Sequence, residues 1–411
     1  MKIKFSHNRL MMADFIIKKI EKNLSQKDFE DIGFSKNYSE AMLDKSNFLK
    51  LKIFDLTVIQ ANILKQTALS KGCDCAIHAG CLNNSVEKTD AILFGTKSQL
   101  VMIAKSLENQ QFKMPVLAQE IMKIFQQSCF GIKAAQPQAT PPDVKSLNLQ
   151  KPLVMGILNL TEDSFSDGGK YLEFDKAIFH AEEMIRQGAD IIDIGAESTR
   201  PNAEEISSEI QIERIIPVLK ALLKLYPDMI YSVDTRSSVV AKEVLAISKD
   251  IIINDVSGLC FDEKMADIVT ENQAKVVICH SSSIPKDMQN HTDYKNVIDD
   301  IYKFFAQKID LLTQKGLSKD NIILDLGFGF GKTVEQNFEL IKRSDDFLTL
   351  GCPILAGVSR KSFIQKTVPD GDFDDLTSAL CGELLLKGTK IFRVHEVKKT
   401  KDVLKLFEKL K

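Results

Sequence analysis

The feature that most constrains this chain is an eightfold recurrence across residues 151–411. Short apolar runs occur at 154–159, 190–195, 230–234, 251–255, 275–279, 321–326, 353–358 and 391–394, and each is followed by a segment with helical spacing. The spacing is clearest over 293–315, where Ile298, Ile301, Phe305, Ile309 and Leu312 share one face and Gly316 stops the helix. Continuously apolar strands need cover on both faces, which intervening helices supply. Eight such units at this length match a parallel (β/α)8 barrel, the TIM-barrel class, whose usual size is about 250 residues. The rival is an open doubly wound sheet, which gathers its polar groups at one crevice. Here polar groups follow every run, so the α/β barrel is the expected fold.

Residues 1–130 read as a separate small α/β domain. Residues 48–54 alternate like a half-buried strand, 57–70 have helical spacing, further strands fall at 73–78 and 91–94, and helices at 97–107 and 116–127. Cys73, Cys75, His78 and Cys81 crowd together, but Cys73 and Cys75 have the same-face spacing of a strand and lack the two-residue knuckle of structural zinc sites. Buried thiols are therefore expected. Residues 131–150 lose all periodicity and contain Ala-Ala-Gln-Pro-Gln-Ala-Thr-Pro-Pro, the composition of an extended linker.

Charge narrows the partners. Lysine plus arginine (54) nearly balance aspartate plus glutamate (56), so no basic surface invites nucleic acid or an anionic membrane. No apolar run approaches the ~18 residues of a membrane span, and the first residues lack a signal-peptide core. Eight scattered cysteines in so long a chain suit a reducing compartment, so a cytoplasmic protein is expected.

The residues just past the strands carry the chemistry. They are Asn159, the loop 161–169 with Phe165 and Asp167, Glu197-Ser-Thr-Arg-Pro201, Asp234-Thr-Arg236, Asn254-Asp255, His280, Asp325, Ser359-Arg-Lys361 and Arg393-Val-His395. In a barrel these reach one rim. Arg200, Arg360, Lys361, Arg393 and His395 are donors suited to phosphate or carboxylate oxygens. Asn159 offers a neutral oxygen to Mg²⁺, which keeps several waters and binds substrate phosphates. Asp234, Asn254 and Asp325 suit a flat heterocycle with several N–H donors, such as a pterin. Any one aspartate or asparagine after a strand is more often a helix cap; the inference rests on all eight strand ends together.

Three familiar motifs fail on single residues. Asp325-Leu-Gly-Phe-Gly-Phe-Gly-Lys332 has Leu326 where a phosphate-binding loop needs glycine, and Lys332 where a dinucleotide fingerprint needs a small residue. Gly357-Val-Ser359 is no hydrolase elbow, since Lys361 replaces its last glycine. His280 reads equally well as a structural residue or as a support behind the site.

Six ordered segments resemble the signatures of the dihydropteroate synthase family: residues 155–169, Glu197-Ser-Thr-Arg-Pro201, Ile252-Ile-Asn-Asp255, Gly327-Phe-Gly-Phe-Gly-Lys332, Ser359-Arg-Lys-Ser362 and Arg393-Val-His395. The resemblance covers about 151–411. It implies a transferase joining 6-hydroxymethyl-7,8-dihydropterin diphosphate to p-aminobenzoate, with Mg²⁺ required, sulfonamides as competitors and a homodimer as the assembly. It also implies that Asn159 binds the metal, that Asp234, Asn254, Asp325 and Lys361 hold the pterin, and that Arg393 and His395 hold the diphosphate. Thr199, Pro201, Phe165, Phe330 and Ser359 would frame the aminobenzoate. Asp167 and Arg200 would act with Lys361 from two loops that close over the site. On this reading Arg393 serves the diphosphate alone and its loss spares a pterin without one.

Several positions depart from the family pattern. Glu162 and Leu326 stand in place of proline, Ala196 and Asn202 in place of glycine, and Cys279-His-Ser-Ser-Ser-Ile-Pro285 in place of His-Met-x-Gly-x-Pro. Two other readings stay open: a folate-dependent methyltransferase, which has no need of the diphosphate donors, and a silent pterin-binding paralogue, which need not keep Asp167, Thr199 and Arg200. For residues 1–130 a scaffolding or dimer-shaping role is expected.

Overall fold

The computed structural model describes residues 24–127, 147–160, 170–197, 206–281 and 292–410. They fall into two compact units, Met1–Pro137 and Gln138–Lys411, with the boundary inside 131–150.

The first unit runs α1 (Gln26–Asp31), α2 (Lys36–Ser46), β1 (Phe48–Thr57), α3 (Val58–Ser70), β2 (Asp74–Ile77), β3 (Lys88–Thr96), α4 (Lys97–Leu107) and α5 (Met114–Gln127). Its antiparallel sheet has the order β1-β3-β2. The two short leading helices have no counterpart in the sequence reading: α1 buries only Phe29, so it lacks the apolar stripe that periodicity detects. The two strand-to-helix steps are built alike. Thr57 and Thr96 end their strands and close capping boxes with Gln60 and Gln99. Each glutamine then reaches past the other helix, Gln60 Nε2 donating to Phe112 O at 2.8 Å and Gln99 Nε2 to Gly72 O at 3.0 Å. Cys75 and Cys81 lie in this unit's core, and Cys73 is half-buried against it.

The second unit is a closed barrel of parallel strands β4 (Leu153–Asn159), β5 (Ile191–Gly195), β6 (Ile230–Asp234), β7 (Ile252–Asp255), β8 (Val276–Cys279), β9 (Ile322–Asp325), β10 (Ile354–Ala356) and β11 (Ile391–Val394). Ile391 pairs with Leu153, so the last strand returns to the first and the open-sheet alternative is excluded. Around the barrel lie α6 (Lys170–Gln187), α7 (Ser208–Leu225), α8 (Ser238–Ile247), α9 (Met265–Glu271), α10 (Val297–Gln314), α11 (Val334–Lys342), α12 (Ser362–Thr367), α13 (Phe373–Leu386) and α14 (Val397–Phe407). Strands β9 and β10 are shorter than their apolar runs because Leu326 and Val358, both fully buried, serve the core from the loops beyond. Helix α10 starts four residues later than its spacing suggests, where Asn296 Oδ1 accepts from the backbone N–H of Ile298 and Asp299. No helix among the described residues is long and apolar enough to cross a membrane.

The barrel interior changes character in one step. Leu153, Met155, Ile191, Ile252, Val277, Ile323, Leu355 and Ile391 form a separate apolar cluster, with Leu147, Leu149 and Ile230 packed against it. Side chains alternate along a strand, so the next inward position lies two residues on. Those positions hold Asp193, Ser232, Asn254, Cys279, Asp325, Gly357 and Arg393, while β4 keeps an apolar Ile157 there. An apolar plug thus supports a polar floor directed to the strands' C-terminal ends.

Candidate active site

That floor is organised by Arg393. Its Nε donates to Asp193 Oδ2 and its Nη2 to Asp234 Oδ2, each at 2.6 Å. Asn254 Nδ2 also donates to Asp193 Oδ2, at 3.1 Å. The planar guanidinium fork suits two carboxylates on different strands, which a lysine could not bridge with one point charge. Asp193 is fully buried, and carboxylates are buried this deeply only when paired. Burial pushes the Asp234 carboxyl up to about 7, against the pull of Arg393 and with repulsion from Asp193 and Glu197. Asp193 Oδ1, Asn254 Oδ1 and Ser232 Oγ are buried acceptors with no donor among the described residues, as a heterocycle presenting N–H groups requires.

Beside this floor stands the glycine-rich turn after β9. Gly327, Gly329 and Gly331 all have positive φ, at 68°, 77° and 55°. Asp325 Oδ1 accepts the Gly327 N–H at 2.9 Å. Burial pushes the Asp325 carboxyl upward, opposed by that hydrogen bond and by Lys361. The two phenylalanines divide their duties. Phe328 is buried in the core, whereas the half-buried Phe330 ring lies 3.7 Å from Lys361 Nζ. Lys332 folds back beneath its own turn. Its partner His280 is buried, edge-on to Phe304 at 5.0 Å, and held well below the ordinary imidazole range by burial and by Lys332. That assigns His280 to support.

Ser359 and His395 act together: His395 N–H donates to Ser359 Oγ at 3.2 Å, and Ser359 Oγ lies 2.9 Å from His395 Nδ1. Ser359 Oγ can accept from or donate to Nδ1, according to which ring nitrogen carries the imidazole proton. Burial, then Arg360 and Arg393, push His395 down to about 4, so near pH 7 it is a neutral N–H donor. Two of the cations at the strand ends are engaged elsewhere. Arg360, at φ 55°, forms a two-pronged pair with Asp374 at 2.9 and 2.8 Å. Arg236 pairs with Glu197 at 3.2 and 2.7 Å, its guanidinium 3.8 Å from the centre of the Phe261 ring. Asp255 holds the turn after β7 by accepting from Ser257 N, Ser257 Oγ and Leu259 N.

Flat-heterocycle acceptors below, cations above and a family of strand-end signatures fit one group of enzymes. A family model described as pterin binding enzyme matches residues 155–395. The chain belongs to the pterin-binding enzyme family. This pterin-binding enzyme is 39% identical over 266 residues to the dihydropteroate synthase of Haemophilus influenzae, a match covering 64% of this chain and 96% of the relative. It is 35% identical over 345 residues to a probable bifunctional folylpolyglutamate synthase/dihydropteroate synthase of Haloferax volcanii. That match covers 82% of this chain and 40% of the relative, so it extends beyond Gln138–Lys411 into the first unit. Among solved structures, the dihydropteroate synthase of Xanthomonas albilineans with 4-aminobenzoic acid is 33% identical, with a TM-score of 0.59 over 64% of this chain and 94% of that one. Within its family the chain is a transferase of the dihydropteroate synthase type.

In this pterin-binding enzyme the structure brings Asp234, Asn254, Asp325, Lys361, Phe330, Ser359, Arg393 and His395 to the C-terminal end of one barrel, and Asn159 ends β4 with its side chain exposed. Phe165, Asp167, Thr199, Arg200 and Pro201 lie outside the described residues. Sequence reasoning passed over Asp193, whose signal was an acid set inside an apolar strand run. Cys279, named in that reading only as the start of a departure from the family pattern, is an inward, buried thiol in register with Asp325.

Burial pushes the Lys361 ammonium down to about 8, partly offset by Asp325 and with Arg393 adding repulsion. The charged form is present below that value and lost above it. We expect kcat/KM to fall as pH rises through about 8, and Lys361→Arg, charged throughout, to remove that fall while lowering the plateau. A pH–rate profile of both enzymes decides it; an identical alkaline fall in the variant would assign the titration elsewhere.

Proposed function

We propose that this site joins 6-hydroxymethyl-7,8-dihydropterin diphosphate to p-aminobenzoate, releasing pyrophosphate and 7,8-dihydropteroate. The observation that carries the reading is the layered interior. Asp193, Asn254 and Asp325 supply acceptors at the floor, where Arg393 ties Asp193 to Asp234, and Lys361 and the neutral His395 supply donors beside it. Asp234, Asn254 and Asp325 receive the pterin's N–H groups, and Lys361 reaches its carbonyl. Phe330 and the Lys361 stem form a wall for the aromatic amine. The bond formed joins the amine nitrogen to the pterin's methylene carbon. The bond broken releases its electron pair to the diphosphate, whose growing charge the donors stabilise; one such donor is worth roughly 3 kcal/mol. An arylamine is neutral and nucleophilic near pH 7, so no strong base is required.

Mg²⁺ is part of the proposal. Asn159 is exposed at the end of β4, with side-chain-free Gly195 as its register neighbour. A single neutral oxygen there fits a cation that keeps most of its waters and takes its other ligands from substrate phosphates. When bound, the ion would neutralise charge on the departing diphosphate. The reading extends to a cytoplasmic homodimer inhibited by sulfonamides that compete with p-aminobenzoate. Supporting a reducing compartment, the cysteines among the described residues are free thiols.

Incubating the protein with both substrates and Mg²⁺ should yield dihydropteroate and pyrophosphate. A chelator should abolish both and added Mg²⁺ restore them. Pterin diphosphate binding with no product in excess Mg²⁺ would sink the reading, and light scattering that shows a monomer would sink the dimer.

A further inference from the structure

Lys332 is 5% exposed, yet it carries an ammonium into the space behind the glycine-rich turn. Its Nζ donates to Gly327 O at 2.7 Å and Phe330 O at 3.0 Å, and lies 3.2 Å from His280 Nδ1. With His280 O at 3.5 Å as a more distant fourth, these acceptors engage all three N–H bonds of an ammonium, which has no lone pair to offer. The turn it holds is already crowded. A Cβ on Gly327 would come within 1.9 Å of His280 O, and one on Gly329 within 2.9 Å of Lys361 Cδ. Asn337 closes the other side, its Oδ1 accepting from Gly329 N at 2.7 Å and its Nδ2 donating to Thr333 O at 2.7 Å. The side chain that emerges is Phe330, whose ring meets the Lys361 ammonium. A buried lysine is costly, and Lys332 is pushed down to about 7 by burial. An apolar side chain would avoid that cost but strip the donor from Phe330 O and leave Gly327 O with only the Phe330 N–H, at 3.1 Å.

We propose that Lys332 is a positioning residue for the aromatic-amine substrate: by tying the carbonyls of Gly327 and Phe330 to His280, it sets the Phe330 ring against Lys361. The inference rests on the reaction proposed above. Lys332 acts through Phe330 and touches no substrate, whereas the pterin is held by Asp234, Asn254 and Asp325 besides Lys361, so most of its contacts do not depend on the Phe330 ring. Its loss therefore separates the two substrates.

Lys332→Met should raise KM for p-aminobenzoate about tenfold or more, the worth of a desolvated cation–ring contact. The dissociation constant of the pterin diphosphate, measured by calorimetry on the full chain, should stay within about threefold. In a Phe330→Leu background the same substitution should add less than about threefold to that KM, because the two residues form one coupled unit. Lys332→Gln, whose amide still donates to both carbonyls, should restore part of the loss. It also carries the cycle if the methionine variant does not fold. A merely structural lysine would weaken both substrates alike and add fully to Phe330→Leu, which would overturn the inference. Active wild type with an unchanged KM in the variants would overturn it too. Wild type that makes no dihydropteroate would remove the proposed reaction and this inference together.

Discussion

Replacing Arg393 by alanine is expected to destabilise the barrel by about 3–5 kcal/mol, the cost of removing one partner from a buried ion pair. The residue left behind is the reason. Asp193 is fully buried, accepts from Arg393 Nε, and would retain only the Asn254 amide as a donor. Asp234 would lose its partner in the same step. Turnover should fall by at least about 10²-fold if, as proposed, the same guanidinium also stabilises the developing diphosphate charge. The loss should extend to a pterin lacking the diphosphate, because on the proposed reading Asp234, which Arg393 holds, is one of the pterin's own contacts. This outcome differs from the one expected of a residue devoted to the diphosphate, and the same measurement separates the two. Arg393→Lys should recover little, one point donor being unable to serve both carboxylates. Urea unfolding and calorimetry with both ligands test the point. A variant with wild-type stability and undiminished affinity for the diphosphate-free pterin would show that the carboxylates do not depend on Arg393.

Gly327→Ala should be nearly as damaging for a different reason. At φ 68° an L-residue is strained by about 1–3 kcal/mol. The added Cβ would also lie 1.9 Å from the carbonyl oxygen of His280 and 2.9 Å from its carbon. That carbonyl follows β8 directly and is backbone, so the turn itself must move, at a further cost of about 1–3 kcal/mol. Displacing the turn removes the N–H that Asp325 accepts and shifts Phe330 away from Lys361. Gly316→Ala supplies the comparison. Its φ of 98° lies further from the left-handed minimum and is at least as unfavourable, but a Cβ there meets nothing within 4 Å. The difference in unfolding free energy between the two variants isolates the steric part. Equal destabilisation, with activity kept in both, would show that the turn accommodates the methyl group.

The barrel was legible because its strands announce themselves: eight apolar runs, each followed by helical spacing, leave few ways to cover both faces. Polar residues at the strand ends were legible for the same reason, since alternation and strand direction send them to one rim. What stayed hidden were pairings between distant strands. Sequence placed Arg393 beside a diphosphate because arginine suits phosphate, but nothing local states that Asp193 occupies the same interior. Arg360 looked like a free donor until Asp374 was found holding it, and Arg236, given no role in the sequence, is held by Glu197. Lys332 looked like the end of a substrate-facing motif, and positive φ at three glycines turns it under instead. Helices α1 and α2 escaped because they bury too little to leave a stripe.

The contact between Arg393 and Asp193 joins residues 200 positions apart, on the last and second strands of the barrel. During synthesis at about 5–20 residues per second, some 10–40 seconds separate the emergence of the two. Throughout that interval the nascent chain holds an acid destined for burial with its counter-charge not yet made. Only β11, entering beside β4, can supply it, so ring closure and completion of the binding floor are one event. A ribosome-bound chain that stops short of the last strand is therefore neither a partial enzyme nor a settled barrel, and chaperones meet it with that seam open.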